Sequence, residues 1–176
     1  AYAHPLKKLY ITGKSKPLIP QLDHHQAADT VADGRGWSNK YRNEAYDKLG
    51  EKDLLKLLSR WSPIVRERAA MALARKGASP NKEFIQMLAS NDLETRYGAS
   101  QALAHTKKPS LEAVDALRKN LDHKDLWLRI ESAEALAKIG KPAMSALPKL
   151  LTMLAKHPSE DDPRGMEQRY LSFAVF

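Results

Sequence analysis

Three times this chain repeats one ten-residue segment, and that repetition limits its possible folds more than any other feature. The copies are Val65-Arg66-Glu67-Arg68-Ala69-Ala70-Met71-Ala72-Leu73-Ala74, Thr95-Arg96-Tyr97-Gly98-Ala99-Ser100-Gln101-Ala102-Leu103-Ala104 and Leu128-Arg129-Ile130-Glu131-Ser132-Ala133-Glu134-Ala135-Leu136-Ala137. In each, an arginine is followed at plus six, seven and eight by Ala-Leu-Ala, and the arginines stand 30 and 33 residues apart. Self-similarity at such a period marks a stack of supersecondary units. Each unit is too small to bury its own apolar face and closes a core only against its neighbours.

The residues between the copies supply helix starts and stops. Leu54, Leu55, Leu57 and Leu58 form the stripe of a short helix, and Ser62-Pro63 gives a cap and first-turn proline to the helix that Gly77 ends. Ser79-Pro80 then opens a helix carrying Phe84, Ile85 and Leu88, whose partner Asp92 caps and which runs to about His105. Pro109-Ser110 opens the next, with Leu111, Val114, Leu117 and Leu121, and Asp125 caps a partner ending near Gly140. A fourth pair begins at Pro142; Pro148 is expected to kink its first helix, and Asp162-Pro163 starts its second. The expectation is an all-α, right-handed α-α superhelix of four to five helix pairs without strands.

Upstream, Asp23 caps a short helix to about Val31, and Ser38 caps one through Leu49, where Arg42, Ala45, Leu49 and Gly50 repeat the arginine spacing in degraded form. Residues 1–22, broken by Pro5, Gly13, Pro17 and Pro20, read as an irregular arm or linker, and residues 23–176 as the repeat domain. The closing stretch, Tyr170 to Phe176, holds five large apolar side chains in seven residues. Solenoids close with a polar outer face, so the expectation is a domain cut from a longer parent.

Charge narrows the partner class only mildly. The chain carries a formal +8, yet residues 1–60 hold 11 basic and 7 acidic groups, residues 61–120 hold 10 and 6, and residues 121–176 hold 8 and 8. The excess is a bias toward the first two thirds, not a track for a phosphate backbone. Cysteine is absent, which excludes disulfides and thiolate metal sites. No apolar run approaches a membrane span, and the first residues lack the apolar core of a signal peptide.

The core pattern, hydrophobic-Arg-x-x-Ala-x-x-Ala-Leu behind an acidic cap, appears as Asp92 to Arg96 and Asp125 to Arg129, with Ser62 in place of Asp before Arg66. Over residues 38–176 it resembles HEAT-like repeats of the short bacterial kind also found in phycobilin lyase relatives. That resemblance implies a scaffold or adaptor more than an enzyme. Gly36 to Glu44 and Asp162 to Leu171 are also similar to parts of large exported bacterial proteins of uncharacterised function, which implies that this is their repeat portion.

Arg66, Arg96 and Arg129 are expected to form a structural ladder by pairing with the caps Asp92 and Asp125 of their own or adjacent repeats. Adjacent His24 and His25 beside Asp23 and Asp29 cannot readily meet one ion, and Glu160, Asp161 and Asp162 lack the alternating ligands of a calcium loop; both groups read as helix starts. No nucleophile elbow, phosphate-binding loop or dinucleotide fingerprint is present. No catalytic residue, cofactor or metal is therefore expected. Trp61 and Trp127 are expected to plug gaps between repeats. A second reading, by analogy with HEAT-like DNA glycosylases, drafts Trp37, Trp61, Tyr97, Trp127, Arg68, Arg75, Lys76, Lys107 and Lys108 into a DNA-binding face. The favoured reading is a noncatalytic scaffold or protein-interaction module within a larger protein. Its groove is lined by Arg68, Met71, Arg75, Gln101, Glu131 and Glu134, and its partner is a polypeptide or a neighbouring domain of the same parent.

Overall fold

In the computed structural model, residues 46–156 and 160–175 of the 176-residue chain are described. The arm 1–22, His24 and His25, Trp37, and all but the last residues of the helix expected from Ser38 lie outside that range. Among the described residues all regular structure is helical: α1 (Glu51–Leu57), α2 (Pro63–Arg75), α3 (Asn81–Leu88), α4 (Leu93–His105), α5 (Leu111–Asn120) and α6 (Leu126–Ile139), then a 3-10 turn (Lys141–Ala146) leading into α7 (Leu147–Leu154), and finally α8 (Met166–Val175). These make four helix pairs. The second helices α2, α4, α6 and α8 stack on one another in chain order as one layer, with α1, α3, α5 and α7 as the other, an α-α solenoid.

The starts follow the sequence closely. Side-chain oxygens of Ser62, Asp92, Ser110 and Asp125 accept from Val65, Thr95, Ala113 and Leu128 amides, satisfying donors that the first helical turn leaves free. Both oxygens of Asp162 serve α8, accepting from Met166 and Glu167 amides at 2.9 and 2.8 Å, so this acidic cluster is a cap. Asn81 ties one pair to the next: its amide donates to the Lys108 carbonyl at 3.2 Å and accepts from the Ser110 amide at 3.1 Å.

The small residues of the repeated segment let the second helices approach closely. Ala69, Ala70, Ala72, Ala99, Ala102, Ala133 and Ala135 are buried beside Leu73, Leu103 and Leu136. Gly98 marks the tightest point: a β-carbon there would lie 1.9 Å from the Leu58 carbonyl oxygen at the end of α1. α4 can rest on that carbonyl only because position 98 has no side chain.

One helix departs from expectation. Pro148 does not kink a continuous helix. The segment from Gly140, whose φ of 70° suits glycine, winds first as the 3-10 turn, and α7 starts afresh at Leu147. Pro148 therefore falls in the first turn of α7, where its missing amide hydrogen costs nothing.

The exposed aromatics also differ. Trp61 and Trp127 do not plug gaps; they are 59% and 48% exposed, and Trp127 leans edge-on against Tyr170 of α8 with centroids 6.1 Å apart. On α8, Leu171 is fully buried while Phe173 is 79% exposed.

Candidate functional site

Counting from the repeated arginine puts the site in register. Positions plus one, plus five and plus nine fall on one face of a helix because they are one turn apart. On α2 this brings Glu67 to the surface of the second-helix layer, on α4 Gln101 and His105, and on α6 Glu134 and Lys138; Glu131, at plus two, joins from the edge of that row. Together with Ala104 and Ala135 these six side chains line one cleft across α2, α4 and α6. Its volume is about 70 Å³. Metabolite pockets usually run to 300–1,000 Å³, so the space suits the end of one side chain better than a small molecule.

The chemistry of the cleft is acidic. Glu67 faces His105 across 3.4 Å, and the hydrogen bond from His105 holds the Glu67 carboxyl below its ordinary range. Gln101 donates from Nε2 to Glu131 at 3.2 Å. Burial, reinforced by the neighbouring charge of Glu134, pushes the Glu131 carboxyl up to about 7. The Arg66 guanidinium and the Gln101 amide oppose that rise, which limits it. Gln101 is only 9% exposed, and its Oε1 is buried without a donor among the described residues. Such an orphaned acceptor costs about 1–3 kcal/mol.

Three of the six expected groove residues, Gln101, Glu131 and Glu134, come together here. The other three do not line the cleft: Met71 is half-buried on α2, Arg68 lies near enough to Glu67 to favour its ionised form, and Arg75 binds the Asp47 carboxylate at 2.7 and 2.9 Å. Sequence reasoning missed Glu67, His105 and Lys138 as members of the site. The signal that finds His105 and Lys138 is the plus-nine position, the residue directly after the repeated Ala-Leu-Ala.

The ladder arginines need a correction. Their hydrogen bonds do not go to Asp92 and Asp125. Arg66, 5% exposed, donates to the carbonyls of Arg60 and Trp61 at 2.8 Å and lies 5.3 Å above the Tyr97 ring of the next repeat. Arg129 makes the equivalent bonds, to the His123 and Lys124 carbonyls at 2.9 and 3.0 Å, and an ion pair with Glu167 of α8 at 2.5 Å. Arg96 departs from this scheme and donates to Asn120 at 2.7 Å. The physical reason is competition. The cap carboxylates are already engaged by amides of their own helices, whereas the inter-helix turns end in carbonyls with no donor. What reaches Asp125 from the previous repeat is the Tyr97 hydroxyl, at 2.8 Å. Burial, and then that bond to a carboxylate, raise the Tyr97 phenol above its ordinary range.

Of the residues drafted for nucleic acid, Trp37 lies outside the described residues, and several of the others are engaged within the fold. Arg75 and Lys76 both bind Asp47, Tyr97 serves the repeat junction, and Lys107 and Lys108 are exposed in the loop between α4 and α5. Among the described residues no three histidine, aspartate or glutamate side chains are arranged to hold a metal ion, and no helix is long and apolar enough to cross a membrane. A family model described as HEAT repeats matches residues 81–168, from the start of α3 into α8. No curated protein matches the chain.

Proposed function

The chain belongs to the HEAT repeat family, and from that premise we propose that it is a noncatalytic docking module whose second-helix layer receives a polypeptide. Repeats of this family suggest a scaffold or interaction module. The observation that carries the finer reading is the cleft across α2, α4 and α6, where three consecutive repeats each contribute polar side chains to one surface. A site shared among repeats suits an extended chain lying across them. Resemblance to the repeat portions of large exported proteins supports a setting in which the partner is a neighbouring domain. The carboxylates of Glu67, Glu131 and Glu134 weigh against a DNA backbone on the same face, since each would repel phosphate.

Photo-crosslinking in the cells that make the protein tests this. A photoreactive residue replacing Glu134 on α6 should yield discrete polypeptide adducts, and one replacing Glu83 on α3, in the other layer, should not. Adducts from Glu83 alone, or from neither position, would refute the docking face.

A further inference from the structure

We propose that the cleft between α2, α4 and α6 is a socket for one arginine side chain of the docked polypeptide; this rests on the docking face just described. Three carboxylates, of Glu67, Glu131 and Glu134, meet in a space about 70 Å³ in volume on a chain that is otherwise basic. An acidic surface alone says little, because such groups are usually solvated. The second observation is Gln101, which is nine-tenths buried, lines the same cleft, commits its Nε2 to Glu131 and leaves Oε1 with no donor. A cleft rich in acceptors and short of donors is completed by a group that carries several N–H bonds and no lone pair.

Two side chains fit that description, and the geometry favours one. A guanidinium presents five donors in a rigid planar fork and can bridge acceptors on two helices at once. An ammonium is a compact, strongly hydrated point charge, and the cleft already has one at its rim. Lys138 lies near enough to favour the ionised form of Glu67, yet it remains exposed and forms no ion pair with Glu67, Glu131 or Glu134. Among the described residues the His105 imidazole pairs with Glu67 alone. Glu134, half-buried one turn from Glu131 on the same face, carries no hydrogen bond or ion pair among the described residues and is the natural first contact for an incoming charge. The raised Glu131 carboxyl is consistent with this: a cation beside it would restore its charge and couple binding to proton release.

The test uses N-acetyl-arginine amide, N-acetyl-lysine amide and N-acetyl-citrulline amide as probes, titrated into the isotope-labelled protein and followed by NMR. The arginine probe should shift the Gln101 side-chain amide and the backbone signals of Glu67, Glu131 and Glu134. It should bind about tenfold tighter than the lysine probe, and the neutral citrulline probe should leave those signals still. Glu134→Gln should weaken the arginine probe about tenfold. Glu67→Gln, at the other wall, should do the same and covers the case in which the first variant misfolds. Equal shifts with citrulline, equal affinity for lysine, or shifts spread over the surface and insensitive to both variants would overturn the socket. Crosslinking from Glu134 with no response to arginine would remove the socket and keep the docking face. Absent crosslinking would remove the face itself.

Discussion

At the scale of single residues, Gly98 shows how sequence and packing can conflict. Alanine is the better helix former by about 1 kcal/mol, so on an isolated helix Gly98→Ala would stabilise. In the stack its β-carbon would lie 1.9 Å from a backbone oxygen that cannot move without shifting α1. The clash should win, lowering stability by about 3 kcal/mol, the upper part of the range for overpacking; chemical denaturation would measure it. Glu131 gives a second test. Its carboxyl is raised to about 7 from the ordinary 4.5 of a glutamate, so between those limits the folded state holds a proton that the unfolded state has lost. The stability it contributes is fully present below pH 4.5 and is lost as pH rises to about 7. Glu131→Gln should therefore gain stability relative to the parent on going from pH 4.5 to 8, by about 1–2 kcal/mol after solvent screening. A pH-independent difference between the two proteins would count against this. Neither residue reveals its role in the sequence. Gly98 sits where Arg68 and Glu131 stand in the other copies, and nothing local tells a close approach from drift.

At the scale of elements, the caps were legible because they are local. Ser62, Asp92, Ser110 and Asp125 each lie within three residues of the amide they serve. The arginine contacts were not legible, because their acceptors are backbone carbonyls of the turns and side chains a whole repeat away. The 3-10 turn before α7 was missed for a related reason: Pro148 forbids a continuous helix but does not say which side of it gives way. Asp125 and Asp92 now separate experimentally. Asp92→Ala removes a cap and should cost about 1 kcal/mol. Asp125→Ala removes a cap and also the Tyr97 hydroxyl's acceptor, so it should cost about 1 kcal/mol more. In a Tyr97→Phe background that excess should vanish, and thermal melts of the double-mutant cycle would show it. An equal cost in both backgrounds would mean that the junction does not depend on this bond.

At the scale of the whole molecule, the four helix pairs among the described residues share one core, and their stacking is what the thrice-repeated segment announces. The site was legible only in part, since Gln101, Glu131 and Glu134 were visible as exposed positions of the repeat while their convergence with Glu67 and His105 depends on how far one repeat advances past the next. Binding of plain or alkylated duplex DNA should be weaker than about 1 µM at physiological salt, within the nonspecific range. Fluorescence anisotropy across salt would check this, and tight, damage-dependent binding at 200 mM salt would favour the glycosylase-like reading instead. The most direct measurement of the central claim is hydrogen exchange, read by mass spectrometry, on the protein alone and bound to the polypeptide captured through Glu134. Slowed exchange is expected in α4 and α6, around Gln101, His105 and Glu131. Protection confined to α3 and α5, in the other layer, would contradict it.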